Sequence, residues 1–243
     1  MTLHLGILQT DSVLAPLQAE HGDYPAMFAR LFKEMGADIM LSTFDVQRSL
    51  PHDDSCDAYL ITGSRHSVYD DLPWITNLAG FVRDALARER KILGVCFGHQ
   101  LMAHFFGGEV APAADGWAVG VHRSRVISQP AWMQPAPHAF RLLSSHKDQV
   151  QRLPPHAELF ATSDLCPLGG FTVGDKVMTV QGHPEFNKAY ARELMTLRRE
   201  MLGEQVYERG IQSLAVDTDE RLLSRWMLNF LILDLSQGVA VDG

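Results

Sequence analysis

Residues 91–98 read Lys91-Ile92-Leu93-Gly94-Val95-Cys96-Phe97-Gly98, an apolar run that meets a cysteine and continues into a helical pattern. A short apolar run of this kind predicts a buried strand over 91–95. The following residues, Phe97 to Phe106, predict a short helix that ends at Gly107-Gly108. Glycines on both sides of Cys96 would permit a tight turn between strand and helix, which exposes a side chain above the edge of a sheet.

Upstream of this stretch, predicted strands and helices alternate. The strands are 3–8, 37–44 and 58–62; one helix begins at Tyr24 and is closed by Gly36, and another begins at Pro73. We expect the segment between the first strand and Asp23 to be a polar loop. A β-α-β-α order implies a mainly parallel sheet with helices on both faces.

Downstream, short strands separated by Pro, Gly or polar turns are predicted at 119–127, 139–143, 158–161, 170–173 and 177–180. They indicate antiparallel hairpins added to the parallel sheet. Two helices follow, at about 187–202 and 218–236, and form a C-terminal helical extension of about 187–243. The chain shows no repeat and no linker, so we predict a single α/β domain over 1–243 with an open, flavodoxin-like sheet.

Composition limits the classes of partner. The 243 residues carry a formal charge of −8 and no basic block, which argues against nucleic acid or an anionic membrane. No run approaches the roughly 20 apolar residues that cross a bilayer. The cysteines at 56, 96 and 166 have neither disulfide nor zinc spacing, so a reduced compartment, the cytoplasm, is expected.

Cys96 is the first candidate for chemistry. A helix N-terminus favours negative charge, so a thiolate at this position would be stabilised. The alternative is a small core cysteine, since free cysteines are often buried. The Gly-x-Cys-x-Gly setting between strand and helix favours the nucleophile.

A thiolate nucleophile needs a base and a group that orients the base. Gln181-Gly182-His183-Pro184-Glu185 follows a predicted strand, and residues two apart in extended chain point to the same side. An imidazole at 183 and a carboxylate at 185 could therefore lie side by side. The alternative is a surface His-Pro-Glu at a helix start, where the helix dipole favours Glu in any case.

Taken together, 94–100 and His183-Pro184-Glu185 resemble the class I glutamine amidotransferases, or triad glutaminases, over nearly the whole chain. Ser144 to Val150 resembles the Ser-His-x-Asp segment of that family, and Leu60 to Ser64 its oxyanion loop. The resemblance is strongest to the amidotransferase domain of GMP synthase and to stand-alone γ-glutamyl peptidases.

The resemblance implies a role for each matching residue. Cys96 would be the nucleophile, His183 the general base and acid, and Glu185 the carboxylate that orients it. The oxyanion donors would be the backbone N–H groups of Phe97 and Ser64, although relatives often carry Gly at position 64. The implied substrate-binding residues are Gly63, Gln100, Ser145 and His146. Gly182 replaces a bulkier residue, and we expect this change to alter the pocket wall. The resemblance requires no metal and no organic cofactor.

Three functions remain open at this point. The chain could hydrolyse glutamine and pass ammonia to a separate synthase subunit, since it has no phosphate-cradling Gly-rich loop of its own. It could instead act alone on γ-glutamyl compounds, or be a binding protein on the same fold. A homo-oligomer could use an exposed part of the apolar stripe around Trp226 and Phe230, although core is the simpler interpretation of that stripe.

Overall fold

The computed structural model describes residues 2–52 and 55–233. The predicted end of the last helix at 236, and the rest of the predicted extension to 243, lie outside the described residues. The strands are β1 (Leu3–Gln9), β2 (Ile39–Asp45), β3 (Ala58–Ile61), β4 (Lys91–Val95), β5 (Glu109–Pro112), β6 (Ala118–Val126), β7 (Ala139–His146), β8 (Asp148–Arg152), β9 (Ala157–Thr162), β10 (Gly170–Val173) and β11 (Val177–Val180). The helices are α1 (Ala15–His21), α2 (Tyr24–Glu34), α3 (Pro73–Ala87), α4 (Phe97–Phe105), α5 (Lys188–Leu197), α6 (Arg199–Leu202), α7 (Glu204–Ser213) and α8 (Glu220–Ile232).

Nine of these strands form one sheet in the order β2-β1-β3-β4-β11-β10-β9-β6-β7. Strands β2, β1, β3, β4 and β11 pair in parallel, whereas β10, β9, β6 and β7 extend the sheet by antiparallel pairing. The prediction of an α/β fold with a mainly parallel sheet and added hairpins is confirmed.

The pairing of β4 with β11 positions the predicted site. These strands run parallel with Val95 opposite Val180, and the N–H of Cys96 donates to the carbonyl of Val180 at 3.0 Å. Because parallel strands end at the same edge of a sheet, the segments after Val95 and Val180 leave the sheet side by side. Cys96 and His183, although far apart in sequence, therefore follow strands that lie side by side.

Helices cover both faces of the sheet, as predicted. On one face, Phe28 of α2 and Trp226 of α8 belong to the same apolar cluster as the sheet residues; on the other, α3 and α4 bury Leu78 and Leu101. The rings of Trp226 and Phe230 are completely buried and pack around Trp132. They are core residues, so they offer no exposed ring to a second copy.

Several elements differ from the predictions. Helix α1 lies where a loop was expected, because seven residues are too few to show a clear apolar period. The predicted helix over 187–202 is interrupted at Arg198, which ends α5 and precedes the four-residue α6. Gly203 then adopts a φ of 75° and is the N-cap of α7, a helix that was not predicted. Strands β5 and β8, also not predicted, form a separate two-stranded sheet.

None of the helices in the described part of the chain has the length and apolar character needed to cross a bilayer.

Candidate active site

Cys96 occupies the turn between β4 and α4 with φ 52° and ψ −98°. This is the left-handed side of backbone space, which costs a residue with a Cβ about 1–2 kcal/mol. The glycines beside it have a different role from the expected one. A Cβ on Gly94 would lie 2.8 Å from the backbone of Gly98, and one on Gly98 would lie 2.6 Å from the carbonyl oxygen of Ile61. They let the first turn of α4 pack directly on β4 and β3.

His183 follows β11 and is fixed on several sides. Its N–H donates to the carbonyl of Leu143 at 2.8 Å, and its Nδ1 lies 2.7 Å from Oε1 of Glu185. Its imidazole stacks on Phe186, with ring centroids 3.9 Å apart and planes 7° from parallel. Both His183 and Glu185 are buried. The carboxylate therefore holds the ring in one orientation, with Nε2 as its remaining nitrogen.

Cys96 and His183 meet beside Gly63. A Cβ added to Gly63 would lie 2.9 Å from Cε1 of His183 and 3.6 Å from Cβ of Cys96. Burial lowers the pKa of His183, but the negative charges of Glu185 and Cys96, together with the hydrogen bonds that His183 donates to both, raise it above its ordinary value. The imidazolium form of His183 is therefore favoured over the neutral ring.

The other two cysteines are in different environments. Burial raises the pKa of the Cys166 thiol to about 12, with a smaller contribution from the negative charge of Cys96. Burial also raises the pKa of Cys56, which packs in the core. Both thiols are therefore protonated at neutral pH, and neither lines the cavity described next.

A cavity of about 440 Å³ opens in front of Cys96 and His183. Its volume lies within the usual range for small-molecule sites, roughly 300–1,000 Å³. The residues of the sequence prediction that line it are Gly63, Ser64, Cys96, Gln100, Ser145, His146 and His183. Glu185 lies behind His183, and the ring of Phe97 packs on Trp74 beneath the floor. Gly182 does not belong to this cavity, because its α-carbon faces Leu142, so the expected change to the wall is wrong.

The peptide bond between Gly63 and Ser64 is held in place by a hydrogen bond from Thr10. The hydroxyl of buried Thr10 donates to the carbonyl of Gly63 at 2.8 Å. In a trans peptide the N–H points opposite to the C=O, so the N–H of Ser64 points away from Thr10. The Ser64 hydroxyl accepts from the N–H of His66 at 3.2 Å. Sequence reasoning missed Thr10 because an isolated threonine after a strand gives no signal.

Gln100 has a role within the protein that the sequence did not indicate. Its Nε2 donates to the carbonyl of Asp148 at 2.7 Å and to Oε1 of Gln181 at 3.1 Å. Both amide hydrogens are thereby committed, and they tie α4 to the segment that carries Ser145 and His146. Burial lowers the pKa of His146 to about 3, so this ring is neutral at physiological pH.

Arg198 also lines the cavity and was not predicted from the sequence. Its Nη1 donates to the hydroxyl of Ser145 at 3.1 Å, and its guanidinium carbon lies 5.9 Å from the ring centroid of Trp117. It lies at the C-cap of α5, where a basic residue is common and gives no functional signal.

The family model for glutamine amidotransferase class-I matches residues 21–198, which include every residue of the candidate active site described above except Thr10. The chain belongs to the class I glutamine amidotransferase family. The resemblance identified from the sequence motifs is confirmed.

Individual members of this family show what the chain is similar to. Gamma-glutamyl peptidase 3 of Arabidopsis thaliana is 27% identical over 222 residues, which cover 87% of this chain and 89% of the relative. The glutamine-hydrolyzing GMP synthase subunit of Pyrococcus furiosus is 38% identical over 95 residues, covering 39% of this chain and 50% of the relative. A crystal structure of a glutamine amidotransferase from Thermotoga maritima superposes with a TM-score of 0.75 at 18% identity, covering 96% of this chain and all of that one. At this identity, the superposition shows the shared fold alone.

A metal ion could be held at one group of side chains in the described ranges. Ligand atoms of Glu20, His21 and Glu193 lie within 4.8 Å of one another. Glu20 is exposed, and none of the three lines the cavity in this amidotransferase-family chain. The cluster therefore supplies no ligand to the candidate active site.

Proposed function

We propose that the chain hydrolyses γ-glutamyl amide bonds through a thioester on Cys96, with the side-chain amide of glutamine as the simplest substrate. The observation that carries this proposal is the contact between Cys96, in its strained turn, and His183, whose Nδ1 lies 2.7 Å from Glu185. This arrangement contains the three parts that thiol-based acyl transfer requires: a nucleophile, a base and a group that orients the base.

In the first step, the Cys96 thiolate attacks the γ-carbonyl carbon and the C=O electrons move onto oxygen. The N–H of Phe97 can stabilise this oxyanion, because the first residues of a helix have no carbonyl four residues back to bond. The N–H of Ser64 would be the second donor, and its orientation away from Thr10 supports that role. Losing one such donor typically slows acyl transfer about 100-fold or more.

In the second step, the C–N bond breaks and His183 gives its Nε2 proton to the departing nitrogen. The raised pKa of His183 supports this step, since the imidazolium is the form that donates. Water then attacks the thioester and transfers a proton to His183, and the sulfur leaves as thiolate. The products are glutamate and ammonia, or glutamate and an amine. No metal or organic cofactor takes part in this scheme.

The amino-acid end of the substrate would lie against Gly63, Gln100, Ser145 and His146. Gln100 keeps Asp148 and the preceding residues in place, so its contribution is to position the segment that binds the substrate. A neutral His146 can donate or accept a single hydrogen bond without adding charge to the site.

Two biological settings fit this chemistry. Similarity to the GMP synthase protein of Pyrococcus furiosus favours a glutaminase that supplies ammonia to a separate synthase subunit. Similarity over most of both chains to gamma-glutamyl peptidase 3 favours an enzyme that acts alone. We expect a cytoplasmic protein in either setting, with a homo-oligomer as an open alternative.

The test is release of glutamate from glutamine and from γ-glutamyl amides by wild type, Cys96→Ser and Cys166→Ser. Hydrolysis by wild type and Cys166→Ser, together with its loss in Cys96→Ser, is the expected result. Mass spectrometry of wild type quenched in acid should detect the γ-glutamyl adduct on the peptide that contains Cys96. Undiminished hydrolysis by Cys96→Ser would rule out the thioester, and inertness of every variant would favour a binding protein on this fold.

A further inference from the structure

His146 lines two cavities, the one in front of Cys96 and a second one of about 20 Å³, called the small cavity below. The small cavity is bordered by β6 and β7, by the end of β11 with Gln181, and by residues 163–169. A cavity needs at least about 10–15 Å³ of this kind of volume to hold one water molecule. The small cavity therefore has room for a single molecule of that size.

The side chains that line the small cavity are uncharged at neutral pH. Its titratable members in the described part of the chain are His122, His146 and Cys166. Burial lowers the pKa of His122 and lowers that of His146 to about 3, so both imidazoles are neutral. Burial raises the pKa of the Cys166 thiol to about 12, so it keeps its proton. An occupant of this cavity would therefore be a neutral molecule and not an ion.

Two buried polar atoms border the small cavity without a hydrogen-bond partner among residues 2–52 and 55–233. They are Nε2 of Gln181 and Nδ1 of His146, in residues that are 2% and 5% exposed. Nearly all buried polar groups in folded proteins are hydrogen-bonded to protein or to ordered water. The two atoms do not bond each other and share one cavity, so they indicate a small polar occupant that reaches both.

The hydrogen bonds around these atoms determine which is a donor and which an acceptor. Nε2 of Gln100 donates to the carbonyl of Asp148 and to Oε1 of Gln181, so the amide nitrogen of Gln181 keeps its hydrogens for another acceptor. Burial lowers the pKa of His146, whereas a hydrogen bond with the backbone of Asp148 raises it, so the ring donates in that bond. Because Nδ1 has no protein partner, the ring hydrogen is on Nε2 and Nδ1 is an acceptor.

We propose that the small cavity binds one ordered water molecule, which accepts a hydrogen bond from Nε2 of Gln181 and donates one to Nδ1 of His146. The water closes a circuit of hydrogen bonds that runs through Gln100, Gln181, His146 and Asp148. This circuit joins α4 and the end of β11 to the segment from Ser145 to Asp148. Gln181 and His146 are thus positioning residues for that segment. Its role toward the substrate rests on the proposed function, whereas the water site does not.

A crystal structure of the unliganded wild type at high resolution is the first test. Density for one water should lie within about 2.7–3.2 Å of both Nε2 of Gln181 and Nδ1 of His146. Absence of this density would overturn the proposal. A direct hydrogen bond between the two side chains would overturn it as well.

Nitrogen NMR of protein labelled in its histidine rings is the second test, with His146 assigned from the signals lost in His146→Phe. In wild type, the ring hydrogen should be on Nε2, and the Nδ1 shift should be that of a hydrogen-bond acceptor. In Gln181→Met, Nδ1 should move toward the shift of an unbonded nitrogen. Gln149→Met is the matched control, because buried Gln149 donates to the carbonyl of Leu165 and lines neither cavity.

A ring hydrogen on Nδ1 in wild type, or an equal change in Gln181→Met and Gln149→Met, would contradict the water bridge. Both wild-type measurements stand even if Gln181→Met does not fold. In steady-state kinetics, Gln181→Met should raise KM for glutamine by a larger factor than it lowers kcat. A fall in kcat alone would overturn the positioning role. The proposed function fails separately, because it requires Cys96-dependent hydrolysis, whereas the crystal and NMR results do not.

Discussion

Gly63→Ala should disable the site without unfolding the protein. The added methyl carbon would lie 2.9 Å from Cε1 of His183, whereas carbon atoms in ordinary contact are about 3.5–4.0 Å apart. Neither the Gly63 peptide nor the His183 ring can move easily. Thr10 holds the carbonyl of Gly63 through a hydrogen bond of 2.8 Å. The imidazole is fixed by Glu185 and by stacking on Phe186. One of the two groups must therefore move by about 0.6 Å or more.

A displacement approaching 1 Å in a catalytic group can reduce the rate about 100-fold. We expect kcat/KM for a γ-glutamyl substrate to fall by about that factor in Gly63→Ala. Gly80→Ala is the matched control, because a Cβ at Gly80 of α3 would meet no atom within 4 Å. It should keep full activity and stabilise the helix by about 0.5–1 kcal/mol. A folded Gly63→Ala variant with kcat/KM within about threefold of wild type would refute the reasoning.

Substitutions at Glu185 and Gly98 test the electrostatics and the packing of the same site. Glu185→Gln removes a negative charge that raises the pKa of His183, so this pKa should fall and the alkaline limb of kcat/KM should move to lower pH. Glu193→Gln alters a similar contact with His21 outside the cavity and should leave the alkaline limb of kcat/KM in place. If the limb does not move in Glu185→Gln, the electrostatic role of Glu185 is contradicted. Gly98→Ala puts a carbon 2.6 Å from the carbonyl of Ile61, an overpacking that should cost about 1–3 kcal/mol, at about 2–4 °C of Tm per kcal/mol. A calorimetric Tm equal to wild type would show that α4 can shift freely.

The fold could be predicted where the sequence carries a period or a sharp boundary. β4, α4 and α2 are defined by apolar spacing and by Gly or Pro at their ends, and their bounds agree closely with the prediction. Helix α7 was missed although Val206, Tyr207 and Ile211 recur at helical spacing and pack against the core. The one fully buried residue of this face is a glycine, Gly210, which packs on Met195 of α5 and Val119 of β6 and gives no apolar signal in the sequence.

The candidate site shows the same division. Cys96, His183 and Glu185 could be proposed because each belongs to a motif of adjacent residues, Gly-x-Cys-x-Gly or His-Pro-Glu, and the two motifs together resemble those of one family. Arg198 and Thr10 could not, because their importance arises from tertiary contacts with Ser145 and Gly63. The close approach between Gly63 and His183 likewise joins residues distant in the chain, and a single sequence does not reveal it.

In the proposed site, the reacting groups and the cavity wall come from different parts of the chain. The register between β4 and β11 fixes where Cys96 and His183 emerge, and side chains elsewhere cannot change that register without disrupting the sheet. The wall that carries Leu197 and Arg198 comes instead from the end of α5, at the margin of the cavity, where substitutions leave the sheet untouched. Members of the family can therefore share the reacting groups and differ in the compound they cleave. For this reason substitutions at Leu197 and Arg198 should change how tightly a γ-glutamyl compound binds while leaving the positions of Cys96 and His183 unchanged.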